Sequence, residues 1–118
     1  MSVSEVVALF RRYRFRFADE VLLQQDVATA LSLHGIPFQR EVACGDGYID
    51  FVLTQERIGV ECKIGQGFAA VMRQCLRYAY DEQLNGLVLV TRRAAHQSDV
   101  AELHGKPFAV CWIGGGGL

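Results

Sequence analysis

Hydrophobic positions recur along this chain at two spacings, and each change of spacing marks an element. Over residues 2–16, Val6, Leu9, Phe10 and Tyr13 fall at helical intervals, and Ser2 with Glu5 has the spacing of a capping box. From about Asp19 to His34, Leu23, Val27, Ala30 and Leu31 form a second apolar stripe, ended by Gly35 and Pro37. The two stripes read equally as one bent helix or as two. The spacing then drops to two. "FQREVAC" (38–44) predicts a strand, and Gly45-Asp46-Gly47 a turn. "YIDFVLTQERIGVECKIG" (48–65) predicts a hairpin turning at Gln55-Glu56. Helical spacing returns over 66–83, with Phe68, Val71, Met72, Cys75 and Ala79 as the buried stripe. The wholly apolar run Leu87–Thr91 predicts a strand covered on both faces. Residues 94–104 have room for a short helix, "FAVCWI" (108–113) predicts a last strand, and "GGGGL" (114–118) a flexible tail. The order is α-β-β-β-α-β plus an extra C-terminal strand, an α/β arrangement with a mixed sheet flanked by helices. Residues 1–113 read as a single domain, without repeat or linker.

The hairpin carries charge where strands usually do not. A two-residue turn pairs Thr54 with Arg57, Val52 with Gly59, and Asp50 with Glu61. Side chains alternate between faces and partners share a face. One face then collects Ile49, Phe51, Leu53, Ile58, Val60, Cys62 and Ile64; the other collects Asp50, Val52, Thr54, Arg57, Gly59, Glu61 and Lys63. A slip of one residue would mix the sets and bury charge, so the pattern fixes the register. It also predicts that Asp50 and Glu61 crowd each other on the polar, solvent-facing side, next to an open spot left by Gly59. Like charges placed so are unfavourable. A divalent cation taking oxygen ligands, Mg²⁺ or Mn²⁺, would offset the repulsion. Lys63, two residues on, lies within reach of a metal-bound water or a phosphate oxygen. The bland alternative is a solvated ladder in which Lys63 neutralises both acids.

Composition narrows the classes. The chain has 118 residues, 51% of them hydrophobic, enough for one core. No apolar run approaches the length that spans a bilayer, and no signal peptide is recognisable, so a cytoplasmic setting without membrane partners is expected. The four cysteines show no C-x-x-C pair and read as small buried hydrophobes. The net charge of −1 says nothing about nucleic acid. The segment "RRYRFRF" (11–17) reads either as a phosphate-binding edge or as core aromatics between solvated arginines. No nucleophile elbow and no phosphate-binding glycine loop is present, so no nucleotide cofactor is expected.

"IDFVLTQERIGVECK" resembles the signature of the PD-(D/E)XK nuclease superfamily: an acid on the second strand, ten intervening residues, then Glu-x-Lys on the third. Ile49 stands where the superfamily's name has proline. The likeness covers about residues 19–91 and implies a restriction-endonuclease-like core with metal-dependent hydrolysis of a phosphodiester. Asp50, Glu61 and the backbone carbonyl of Cys62 would bind Mg²⁺ or Mn²⁺, and Lys63 would orient water or stabilise charge. The superfamily's first core helix often adds an acid. Glu20, on a face shared with Gln24, Val27 and Leu31, is the choice; Asp19 and Glu41 are weaker ones. Gln74 and Tyr78 match a Q-x-x-x-Y spacing found in many branches. They are expected to face away from the buried stripe, with the Tyr78 ring free to stack on a base and Arg73 and Arg77 free to meet phosphates.

The compact core is similar to Holliday-junction resolvases and virus-type replication-repair nucleases. That implies DNA as partner, structure-directed cutting, a homodimer, and a phage, mobile-element or repair context. A rival of another class is a catalytically silent nucleic-acid-binding module on the same fold. A second is a structural domain whose polar hairpin face is merely solvated.

Overall fold

The computed structural model describes residues 1–114; the remainder of the tail expected at 114–118 lies outside the described residues. Helix α1 (Val3–Phe10) starts at the expected capping box: the Ser2 hydroxyl accepts the Glu5 N–H at 3.1 Å, and the Glu5 carboxylate accepts the Ser2 N–H at 2.8 Å. It ends well before residue 16. From Tyr13 onward the aromatics follow every second residue, and the chain leaves the helix so that Phe15 enters the core. Arg16 is tied to Asp26, its N–H at 2.7 Å and its guanidinium at 2.8 Å. The two stripes are therefore two helices. Helix α2 (Glu20–Leu33) is capped by Asp19, whose carboxylate accepts the Leu22 N–H at 2.8 Å.

Strands β1 (Phe38–Cys44), β2 (Gly47–Leu53) and β3 (Ile58–Lys63) form an antiparallel meander. Helix α3 (Phe68–Ala79) carries the chain to β4 (Gly86–Thr91), parallel to β3. α3 is shorter than the expected 66–83, because Gln66 takes a left-handed φ of 72° and Gly67 becomes the N-cap. Residues 94–104 hold only a single 3-10 turn (Ala94–His96) and a two-residue strand β5 (Glu102–Leu103). Strand β6 (Lys106–Trp112) is parallel to β4 and antiparallel to β5. The sheet order is β1-β2-β3-β4-β6-β5, a six-stranded mixed sheet flanked by helices. No helix among the described residues is long and apolar enough to cross a membrane. The four cysteines are free and buried.

The core has two parts, one on each face of the sheet. α1 and α2 pack over Phe51, Leu53, Val60, Cys62 and Val90. α3 packs over Ile49, Val52, Leu87 and Leu89 on the other face. The face expected to meet solvent is thus covered, and β3 is buried along its whole length. Burial on both faces follows from a parallel neighbour joined by a crossover helix.

The hairpin register is the expected one: Phe51 pairs with Val60, Val52 with Gly59 and Leu53 with Ile58. The turn is longer than expected. It spans Thr54–Arg57, closed by the Arg57 N–H donating to the Leu53 carbonyl at 2.7 Å, with Arg57 at a left-handed φ of 58°. Ile49 lies on the other face from the one expected. Alternation reverses in both β1 and β2 at one level, Glu41–Asp50, where Glu41 has φ 54°. Before that level Phe38 joins the α1–α2 side, and after it Val42 and Cys44 join the α3 side; Phe51 and Ile49 divide likewise. Gly59 leaves no open spot: an added Cβ would lie 2.5 Å from Ile49 Cδ1 and 3.0 Å from Leu84 Cδ1.

Candidate active site

The reversal at Asp50 is what builds the site. The β2–β3 ladder stops at Phe51–Val60, one pair short of Asp50 and Glu61. Beyond it the strands part, and each acid takes over a backbone donor of the opposite strand. The Asp50 N–H donates to Glu61 Oε1 at 3.1 Å, and the Cys62 N–H donates to Asp50 Oδ2 at 2.8 Å. Two carboxylates here stand in for the carbonyl groups of the broken ladder. Asp50 and Glu61 are brought together as expected, but by crossing between strands and not by lying on an open polar face.

Lys63 completes the cluster, its Nζ 3.1 Å from Glu61 Oε2. Glu61 and Lys63 are 2% and 8% exposed, so neither is a surface charge. Burial raises the pKa of Glu61, and Asp50 adds to the effect; Lys63 only partly counters it, and the carboxyl is pushed up to about 7. Asp50 is also raised, again chiefly by burial, against the Cys62 N–H and the Lys63 ammonium. For Lys63 burial works downward, but the surrounding acids, Glu61 foremost, outweigh it and hold the ammonium above its ordinary range. Perturbed acids gathered in one place are a recognised mark of functional sites.

Glu20 opens α2 and is half-buried. Its charge acts on Asp50 and on Lys63, yet it forms no hydrogen bond with either. It stands beside the pair without joining it. Asp19 is spent on its cap. Glu41 is exposed in its left-handed conformation and belongs to the geometry of the strand break, not to the cluster. Arg40 does not pair with Glu41; it donates to Gln24 at 3.0 Å and lies over the Phe51 ring at 5.0 Å.

The helix α3 residues divide. Gln74 donates to the Tyr78 hydroxyl at 2.9 Å, so the pair does share a face. That face is not turned outward: Tyr78 is 3% exposed and packs with Ile49 and Leu89. Its ring cannot stack on a base. Its hydroxyl instead donates to the Tyr48 carbonyl at 2.8 Å and stands 3.5 Å from Glu61 Oε2. Tyr78 therefore props the strand break from beneath. Phe68, expected in the buried stripe, is an exposed residue at the first position of α3. Arg73 and Arg77 are exposed, as a phosphate contact requires, and Arg77 pairs loosely with Asp46 at 3.4 Å, not with Asp81. In the segment 11–17 Phe15 is core and Arg16 is neutralised by Asp26, while Arg11, Arg12 and Arg14 are exposed.

Sequence reasoning missed His96. It is fully buried, with Nδ1 2.6 Å from the Thr91 hydroxyl and Nε2 2.9 Å from the Gln66 carbonyl. It pins the loop that follows Lys63 to the end of β4. No metal-like spacing marked it, and its partners are 5 and 30 residues away. A cavity of about 500 Å³, lined by Leu9, Arg12, His34, Pro37 and Glu56 among others, includes none of the site residues.

Among the described residues no three His, Cys, Asp or Glu side chains gather to hold a metal ion. The acid pair alone suits a hard cation that keeps most of its shell as water, which is the habit of Mg²⁺. Only one oxygen of Asp50 is engaged by a backbone donor, leaving Oδ1 available. No protein-family model matches the chain, no curated protein matches it, and no solved structure matches it.

Proposed function

We propose that the chain is a metal-dependent phosphodiesterase, a DNA nuclease of the PD-(D/E)XK type. One observation carries this reading: a buried acid, Glu61, a half-buried one, Asp50, and a buried lysine converge where a ladder is interrupted to admit them. A purely structural hairpin gains nothing from that arrangement. Replacing such charges with apolar residues of similar volume is often neutral or stabilising. The element order α-β-β-β-α-β, with the third and fourth strands parallel through α3, supports a restriction-endonuclease-like core.

Asp50 Oδ1, Glu61 and the Cys62 carbonyl would hold Mg²⁺ or Mn²⁺, whose contribution is to polarise the phosphate and make a bound water more acidic. The chain's own groups do the rest. Lys63, kept cationic by the acids around it, donates to the attacking water or to a phosphate oxygen as negative charge builds there. Glu61 would hold the metal as the carboxylate, its proton passing to solvent, and engaging its oxygens there would loosen the contact with Lys63 Nζ and leave the ammonium for substrate. The Asp50–Cys62 bond fixes the acid's orientation. Glu20 orders water at the mouth of the site. Gln74 acts through Tyr78, positioning the strand break, while Arg73 and Arg77 meet backbone phosphates.

The elements formed by the described residues all belong to this core, which favours structure-directed cutting, with a homodimer supplying two sites for a branched substrate. The test is a panel of branched, single-stranded and linear DNA substrates with Mg²⁺ and Mn²⁺, with Glu61→Ala as the blank. Cleavage by the wild type alone supports the reading; equal products from both sink it. The silent binding module has one observation in its favour: among the described residues only two acids gather at the site. Metal and DNA binding without any cleavage would select it.

A further inference from the structure

Two arginines that no motif picked out stand at the carboxyl end of β4, one strand from Lys63. Thr91 pairs with Lys63, and the next N–H, that of Arg92, donates to the Lys63 carbonyl at 3.1 Å. Their guanidinium groups bracket the loop that leaves Lys63. Arg92 donates to the Ile64 carbonyl at 2.9 Å and to the Phe17 carbonyl at 3.3 Å; Arg93 donates to the Gln66 carbonyl at 2.8 Å. That same Gln66 carbonyl meets His96 at 2.9 Å. The loop is therefore a built feature, held from two sides with Gln66 in a left-handed conformation.

The charge on these arginines is not cancelled. Both are exposed, and neither forms an ion pair among the described residues. Arg16, by contrast, is neutralised by a carboxylate at 2.8 Å. A guanidinium has five donors. Arg92 uses two of them on carbonyls and Arg93 one, so most of the fork is left for an anion. The approach is clear as well: a Cβ added at Gly65 or Gly67 would touch nothing within 4 Å. α3 begins just beyond, without a side-chain cap, so the positive end of its dipole adds to the same field. Parallel strands of α/β sheets commonly present ligands outside their carboxyl ends.

We propose that Arg92 and Arg93 form a phosphate clamp for the nucleic-acid backbone, gripping a phosphate adjacent to the one that Lys63 addresses. This rests on the nuclease reading of the acid pair and adds the residues that place the strand. The arginines are positioning residues: they touch the substrate's backbone and not the reacting atoms.

The probe is a fluorescein-labelled 20-base-pair DNA duplex, bound in EDTA over a range of salt. Each phosphate contact contributes about 0.9 to the slope of log K against log salt for duplex DNA. Arg93→Gln and Arg92→Gln should each flatten that slope by about this amount, and Arg93→Lys should restore it. In cleavage with Mn²⁺ the Gln variants should raise KM severalfold while kcat changes less. Wild-type protein treated with phenylglyoxal gives a readout that needs no variant: saturating duplex should protect both arginines from modification. Unchanged slopes, or equal modification with and without duplex, overturn the clamp while leaving the nuclease reading standing if the wild type cuts. A wild type that neither binds nor cuts any substrate removes both.

Discussion

Strands β3 and β4 lie side by side, parallel, and buried along their lengths, yet β3 carries charge at two of its last three residues and β4 at none. Glu61 pairs with Leu89, Cys62 with Val90 and Lys63 with Thr91. On β4 the positions of full burial carry what burial favours: Leu89 and Val90 have no exposed surface. On β3 the same depth holds an acid and an ammonium. Hydrophobic burial stabilises the first by roughly 1.5–3 kcal/mol per side chain. Desolvation works against the second: for Glu61 the ion pair and backbone bond recover only part of that loss, whereas for Lys63 the surrounding acids outweigh it. Thr91, the one polar residue at the end of β4, is satisfied by His96. Neighbouring strands in one sheet thus differ in kind, β4 apolar and holding the fold, β3 carrying the buried charges of the proposed site beside the strand break at Asp50.

The comparison can be broken at its sharpest point by removing the acids. Glu61→Gln and Asp50→Asn should each lower cleavage by about 10³-fold or more, since both shape the charge stabilisation at the phosphate. The folded proteins should give circular dichroism spectra like the wild type. Unfolding of either conservative variant would mean that the cluster is structural. Leu89→Ala should do the reverse. It should cost about 2–5 kcal/mol in urea unfolding by leaving a cavity, with residual activity in the folded fraction.

A pH series sharpens the contrast. Glu61 carries a proton in the fold up to about pH 7, while in the unfolded chain it ionises near 4.5. Between those values the folded state binds more protons than the unfolded one, so stability must fall as pH rises through that window. The metal-free protein should lose on the order of 2–4 kcal/mol between pH 4.5 and 7.5, Asp50 acting in the same direction. Melting in EDTA across this range measures it. Glu61→Gln should flatten the curve, and excess Mn²⁺, which favours the ionised pair, should offset the loss. A wild-type stability that rises over the window would contradict the buried pair. The smallest effect belongs to the apolar end of β3, which should behave like β4. Gly59→Ala forces Ile49 and Leu84 aside and should cost about 1–3 kcal/mol with cleavage chemistry unchanged. A neutral Gly59→Ala would mean that Ile49 and Leu84 have room to move aside under α3.

Much of this was legible in the order of residues. The hairpin register followed from the need to keep Phe51, Leu53, Ile58 and Val60 together, and it is the observed one. The capping box at Ser2 placed the start of α1, Gly35 and Pro37 placed the end of α2, and the unbroken apolar run placed β4. The same register placed Asp50, Glu61 and Lys63 near one another, but the break in the ladder is what brings them into contact. What failed did so wherever a rule of local alternation was carried past an irregular residue. Glu41 in its left-handed conformation reverses the faces of both strands at Asp50, and no periodicity announces that. Tyr78 reads as available from the spacing of its own helix alone, and the sheet that buries it is supplied by residues distant in the chain.

The sequence by itself determined which residues must share a strand pair, because a period of two leaves a single register that keeps Phe51, Leu53, Ile58 and Val60 on one face. Only the tertiary structure decided how deeply that pair lies and what surrounds it. Burial depends on partners distant in the chain: α3 closing over Glu61, Tyr78 reaching the Tyr48 carbonyl, and Arg92, Arg93 and His96 meeting the loop after Lys63. Such contacts are fixed by how packed layers fit in space, which no local pattern encodes.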